Sequence, residues 1–291
     1  MKTNRTTIVY LALLCAFAAT AFSARAHAQI ASHGPKNGYL IITGGVTGPA
    51  DFQRFIEMGG GNQARLVVIP NASVTKPASQ EELQEQFCGA KSPFEKLPQR
   101  SCVVLYTNDP AVANSEAFVA PLKTATAVSF AGGRQWRIAD AYLGTLTQKE
   151  LFKFLDRGGV IEGGSAGATI QGSYMVRGSE SPDDNTIMMA PGHETGLGFL
   201  TNATIDQHVD VRHRENDLAP VMKAHPELLG FGLDQGTSMT VHGDLVTVNG
   251  PKRVAVWDGK DHDGKAYYYL NAGDTLNLVT RVPTISQHPQ Q

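Results

Sequence analysis

The sequence predicts an α/β fold, a parallel sheet with helices on both faces and a C-terminal antiparallel β extension. Three observations point there. Short β-branched runs alternate with helix-compatible stretches, several of the runs end in glycine pairs, and after about Gly230 the alternation gives way to brief β-like runs separated by Gly and Asp. With 291 residues, 42% hydrophobic and 18% charged, the chain can bury one large core, which excludes disordered, collagen-like and coiled-coil classes. A net charge of −2 gives no electrostatic case for a nucleic-acid partner.

Element by element, Tyr39-Leu40-Ile41-Ile42-Thr43 reads as a strand running into Gly44-Gly45, and an amphipathic helix from about Ala50 to Met58 stops at Gly59-Gly60-Gly61. Arg65 to Pro70 and Cys102 to Tyr106 are short and β-branched enough to be buried parallel strands, with a helix over Gln80 to Phe87 between them. Ala125 to Phe130 is a fourth strand, ending in Ala131-Gly132-Gly133. A helix over Gln148 to Arg157 stops at Gly158-Gly159, and Val160-Ile161-Glu162 leads into Gly163-Gly164. The late runs Thr237 to His242, Leu245 to Asn249, Val254 to Trp257 and Ala266 to Leu270 fit an antiparallel extension of the same sheet. In such folds active sites lie at the carboxyl ends of strands, where the three glycine loops Gly44-Gly45, Gly132-Gly133 and Gly163-Gly164 fall.

The N-terminus carries Lys2 and Arg5, an apolar stretch Ile8 to Phe22, and the small-x-small triplet Ala26-His27-Ala28. This is the layout of a cleaved signal peptide over 1–28, and the apolar stretch is shorter than the roughly 20 residues a spanning helix needs. Cleavage after Ala28 leaves 263 residues and removes Lys2, Arg5 and Arg25 but no acid, taking the charge from −2 to −5. The expectation is an exported protein, periplasmic or secreted, with no membrane contact after cleavage. One domain then spans 29–282, followed by a polar, disordered tail over 283–291. Cys88 and Cys102 remain, and in an oxidising compartment they either staple a surface loop or stand as separate thiols.

Gly163-Gly164-Ser165-Ala166-Gly167 satisfies G-x-S-x-G between a strand and a helix. A serine on so tight a turn needs small neighbours, and the turn lifts its hydroxyl clear of the sheet. A packing turn or an anion-binding loop reads the same way. A nucleophilic serine needs a base, and His208 is the choice within Ile205-Asp206-Gln207-His208-Val209-Asp210. It follows the apolar-rich stretch Gly198 to Ile205, whereas His213 lies between two arginines, His193 sits in a Pro-Gly loop and His225 precedes a proline region. Arg212 and Arg214 suit bidentate recognition of carboxylates. No pair has H-E-x-x-H or C-x-x-C spacing, so neither a metal nor a cofactor is predicted.

Taken together, Gly163 to Ala168, Phe130-Ala131-Gly132-Gly133-Arg134-Gln135, Gly196 to Leu200, and Ile205 to His208 with Arg212 and Arg214 resemble the cyanophycinases. Ile41 to Gly45 and Leu229 to Asp234 are similar as well, in the same order, so the likeness spans roughly Tyr39 to Asn249. These serine peptidases are related to dipeptidase E and have a class I glutamine amidotransferase-like (flavodoxin-like) fold. The resemblance implies hydrolysis of cyanophycin, a polyaspartate bearing arginine on each side chain, to β-aspartyl-arginine dipeptides through an acyl-enzyme. It implies Ser165 as nucleophile, His208 as base, the N–H groups of Gly133 and Ala166 as oxyanion donors, and Gln135, Asp206, Gln207, Arg212 and Arg214 around the substrate. Related enzymes are often homodimers.

Two departures bear on this. The family usually completes its triad with the glutamate of an Asp-Glu pair, where this chain has Asp234-Gln235. An amide oxygen can orient an imidazole but cannot neutralise an imidazolium, so either Gln235 is a weaker third member or Asp234 or another carboxylate substitutes. Asp217 stands where an R-x-R-x-x-R pattern commonly supplies a third arginine, which should weaken the hold on an aspartate carboxylate and favour a cationic group. The sequence thus also allows an amidohydrolase acting on other aspartyl dipeptides or amides, or a binding protein with impaired chemistry.

Overall fold

The computed structural model describes residues 31–90, 92–180 and 189–286. The expected leader, 1–28, lies outside these residues, as does 287–291. The strands β1 (Tyr39–Thr43), β2 (Arg65–Ile69), β3 (Ser101–Val104), β4 (Ala127–Phe130) and β5 (Val160–Gly164) pair in parallel, in the order β1-β5-β4-β2-β3. Their side chains alternate between two cores, as a sheet buried on both faces requires. Leu40, Ile42, Val67, Ile69, Val128 and Ile161 face one core, and Ile41, Leu66, Val68, Ala127 and Val160 the other.

The helices divide accordingly. Helices α1 (Pro49–Met58) and α2 (Gln80–Cys88) cover the second face with Phe55, Ile56 and Leu83. Helices α3 (Pro110–Ala113), α4 (Glu116–Thr124), α5 (Trp136–Tyr142) and α6 (Leu146–Asp156) cover the first, through Val119, Tyr142 and Phe154 among others. Ser79 caps α2 in a capping box with Glu82. Gln80 and Gln84 of that helix bond the backbone of β3, blunting the sheet edge, and a Cys88–Cys102 disulfide joins the same two elements. Of the two readings left open for these cysteines, the staple is the one present.

The C-terminal half departs from a simple extension. After the single turn α7 (Ala166–Thr169) come β6 (Gly172–Tyr174), β7 (Leu200–Asp206), α8 (Ala219–Ala224) and β8 (Leu229–Leu233). Then follow β9 (Ser238–His242), β10 (Leu245–Asn249), β11 (Arg253–Trp257), β12 (Tyr268–Asn271), β13 (Thr275–Asn277) and β14 (Val282–Thr284). Strands β9, β10, β13 and β14 do extend the first sheet antiparallel from β1, making it nine-stranded. The runs at Val254 and Tyr268, expected in that sheet, instead join a separate five-stranded sheet ordered β12-β11-β8-β7-β6. The reason is pairing: β11 lies between β8 and β12 with both edges hydrogen-bonded, which seats Val254, Val256 and Leu270 in the core beside Phe231 and Leu229. The expected domain end at 282 also moves. Val282–Thr284 pairs with β13, and the Ser286 N–H donates to the buried Asp274 carboxylate, so residues 283–286, expected in the tail, are held to the sheet.

Candidate active site

Ser165 occupies the junction of β5 and α7 with φ 56° and ψ −117°, a conformation that costs a non-glycine residue about 1–3 kcal/mol and persists only when its surroundings impose it. The surroundings are glycines in contact. A Cβ on Gly163 would lie 2.3 Å from the Gly167 carbonyl, and one on Gly167 2.2 Å from that of Phe130. The glycine spacing therefore lets the turn sink against β4 while the Ser165 N–H donates to Thr43 O at 3.2 Å.

The same end of β1 holds His208, the expected base. His208, at φ 57° just past β7, donates its backbone N–H to Gly44 O at 2.6 Å. Gly45 leaves the space for its ring, since a Cβ there would lie 2.5 Å from Nδ1. His208 Nε2 is 3.0 Å from Ser165 Oγ, and Nδ1 is 2.8 Å from Gln235 Oε1. With Nδ1–H donating to the amide oxygen, Nε2 is left as acceptor for the serine proton, the arrangement general-base chemistry requires. Burial holds the His208 imidazole below its usual range, opposed by the Gln235 bond and reinforced by Arg212 and Arg214, so it is neutral at neutral pH.

Gln235 is the third member of this chain of hydrogen bonds, and Asp234 is not a substitute for it. The Asp234 carboxylate turns instead to Arg253, 3.6 Å from its Nε and 3.4 Å from its backbone N–H. Asp210 is tied to the Gln235 backbone N–H at 2.8 Å and to Lys252. Among the described residues no carboxylate reaches His208 Nδ1. The N–H groups of Gly133 and Ala166 donate to no described protein acceptor. Gly132, beside Gly133, is close enough that an added Cβ would sit 4.0 Å from Ser165 Oγ.

The residues expected to line the substrate largely engage one another. Asp206, fully buried, takes two hydrogen bonds from Arg177 at 2.9 and 3.0 Å, and Arg214 approaches to 3.7 Å. Arg214 donates to Gln207 O at 3.0 Å, and its burial pulls its pKa down to about 10. Gln135 donates to the carbonyls of Val176 and Arg177, holding the turn that carries Arg177. Arg212 is exposed.

Arg177 was not legible in the sequence. Its φ of 54° and its position outside any motif give no signal, yet it also binds Asp217 at 2.6 Å. Burial opposes its charge, but the Asp206 and Asp217 carboxylates outweigh that and raise its pKa above the ordinary value. The cation that Asp217 was expected to recruit is thus one of the chain's own. Three arginines (177, 212 and 214) against two carboxylates (206 and 217) leave this corner net positive. Glu162 was missed too, although an acid inside an apolar strand was a visible signal.

The profile of peptidase family S51 matches residues 40–249. A cyanophycinase from Synechococcus elongatus is 29% identical over 255 residues, covering 84% of this chain and 76% of that protein. One from Geminocystis herdmanii (strain PCC 6308) is 29% identical over 246 residues, covering 82% and 85%. The crystal structure of a peptidase from an acI-B1 Actinobacterium superposes with a TM-score of 0.64 at 20% identity, covering 84% of this chain and 98% of that one. At that identity the likeness speaks for the fold.

Proposed function

From the premise that the chain belongs to peptidase family S51, and is a serine peptidase, we propose that it hydrolyses cyanophycin to β-aspartyl-arginine dipeptides through an acyl-enzyme. The observation that carries this reading is the continuous chain Ser165 Oγ, His208 and Gln235 Oε1, at 3.0 and 2.8 Å. Ser165 Oγ attacks the amide carbonyl as His208 Nε2 takes its proton. The N–H groups of Gly133 and Ala166 receive the developing oxyanion, and His208 returns the proton to the leaving amine. Water, deprotonated by the same imidazole, then releases the acyl group. The net positive corner around exposed Arg212 supports docking of an aspartate carboxylate.

With the leader over 1–28 removed, the reading places the enzyme outside the cytoplasm, where it meets polymer released by lysed cells. A homodimer fits the related enzymes. The test incubates protein beginning at Gln29 with purified cyanophycin granules and follows dipeptide release by chromatography. Release by the native chain and none by Ser165→Ala is expected. No release by folded native protein refutes the substrate. Hydrolysis of other β-aspartyl amides, with cyanophycin left intact, would favour the broader amidohydrolase reading, for which the Asp217–Arg177 pair is the motivating feature.

A further inference from the structure

A pocket of about 290 Å3 is lined by Gly164, the residue before Ser165, by Gly132, where an added Cβ would lie 3.4 Å from Ser165 Cβ, and by Phe52, Phe87, Phe94 and Val68. Glu162 also lines it, on the pocket face of β5 two residues before Gly164. Its side chain is buried, 2% exposed, and its carboxyl accepts from Thr47 Oγ1 and Ser129 Oγ, each at 2.7 Å. Two hydroxyls leave lone pairs of a carboxylate unused, since its two oxygens can accept about four hydrogen bonds. Among the described residues no lysine, arginine or histidine pairs with it, while the Asp51 carboxylate from α1, itself bound by Arg54 and Ser238, adds repulsion. Burial accordingly pushes the Glu162 carboxyl up to about 7.

A buried acid with no counter-charge among the described residues, in a cavity walled mainly by apolar side chains, costs stability unless something compensates it. In the strand it pairs with Ile41 and Ser129, a buried place that an apolar side chain would fill at no such cost. We propose that this pocket is a specificity pocket of the peptidase, taking a flexible aliphatic side chain that ends in a guanidinium or ammonium group, with Glu162 as its counter-charge. The aromatic walls bury the methylenes, and the carboxylate meets the cation where water is excluded. Thr47 and Ser129 fix the orientation of that carboxylate. The volume holds one side chain and not a folded partner. The assignment rests on Ser165 as nucleophile only for its role in substrate choice; the binding itself does not need turnover.

The test therefore uses the full mature chain with Ser165→Ala, which hydrolyses nothing. Butylguanidinium and its uncharged counterpart pentanamide are titrated by NMR, following the amide signals of Gly132 and Gly164. Butylguanidinium is expected to bind at least tenfold more tightly than pentanamide, and Glu162→Gln, which keeps size and polarity, to erase that difference. Equal affinities, binding of neither ligand, or undiminished guanidinium binding by Glu162→Gln overturns the proposal. If Glu162→Gln does not fold, as judged by thermal unfolding, the ratio of the two ligands on the Glu162 protein decides alone. Labelling of the native chain by a serine-reactive phosphonate is read in parallel. Labelled Ser165 without cation preference sinks the pocket and spares the peptidase; cation preference without labelling does the reverse.

Discussion

Replacing Gln235 by glutamate should make His208 a stronger base and the transition state more stable, by the same free energy. In the resting enzyme the imidazole is neutral and gains little from a nearby carboxylate, but the imidazolium formed as Ser165 attacks gains the full attraction. At an effective dielectric of 20 and a separation of about 4 Å that attraction is about 4 kcal/mol. Two features of the site reduce it. The new carboxylate would sit beside Asp210, whose Oδ1 already accepts the residue-235 N–H at 2.8 Å, and residue 235 is half-buried and in part solvated. A net of about 1.5–3 kcal/mol remains, or roughly 10- to 150-fold in kcat and about 1–2 units in the His208 pKa. Because His208 must be neutral to accept a proton, kcat/KM is sustained at high pH and falls as the pH drops through the His208 pKa. In the native chain burial places that fall below the usual imidazole value of 6.5. In Gln235→Glu it should move upward by the stated shift. Steady-state kinetics of dipeptide release from cyanophycin across pH 4–9 reads both quantities. A variant with unchanged kcat and an unmoved acid limb would falsify the assignment of residue 235 as the imidazole's partner.

Gly45→Ala forces a methyl group to within 2.5 Å of the His208 ring, so hydrolysis should fall at least 100-fold with little change in KM; retained activity would mean that the imidazole does not work from this position. Arg177→Met strands the buried Asp206 carboxylate with only Arg214 at 3.7 Å, which should cost about 3 kcal/mol and lower Tm by roughly 6–12 °C. Asp217→Ala, at a half-exposed end of the same network, should cost under about 1 kcal/mol, and thermal unfolding that ranks the two variants the other way contradicts the network drawn here. The Cys88–Cys102 bridge closes a loop with a sequence separation of 14, worth about 3 kcal/mol of unfolded-chain entropy. Mild reduction should therefore lower Tm by roughly 6–12 °C, which calorimetry with and without reductant can check.

The groups that meet at the candidate site were readable because their signals are local. A serine on a strand-to-helix turn needs Gly163 and Gly167 as neighbours whatever the rest of the chain does, and the clashes at 2.3 and 2.2 Å show the same constraint in space. His208 could be chosen over His213, His193 and His225 from its place after an apolar strand, and Gln235 was placed by its motif. The choice between Gln235 and Asp234 was not local, since adjacent side chains on a strand end point apart. Here one meets the imidazole and the other Arg253.

The sequence by itself determined the five parallel strands, three of their flanking helices (α1, α2 and α6) and the strand-to-helix serine turn, because each rests on periodicity or steric need within a few residues. Only the tertiary structure decided which of the late strands joined which sheet, since a strand's hydrophobic pattern names the face it buries and not the neighbour that covers it. It alone brought Arg177 between Asp206 and Asp217, 29 and 40 residues away, and set Glu162 against a largely apolar cavity with no counter-charge among the described residues. Electrostatic partners act through space, and the distances that fix their strength exist only once the chain has folded.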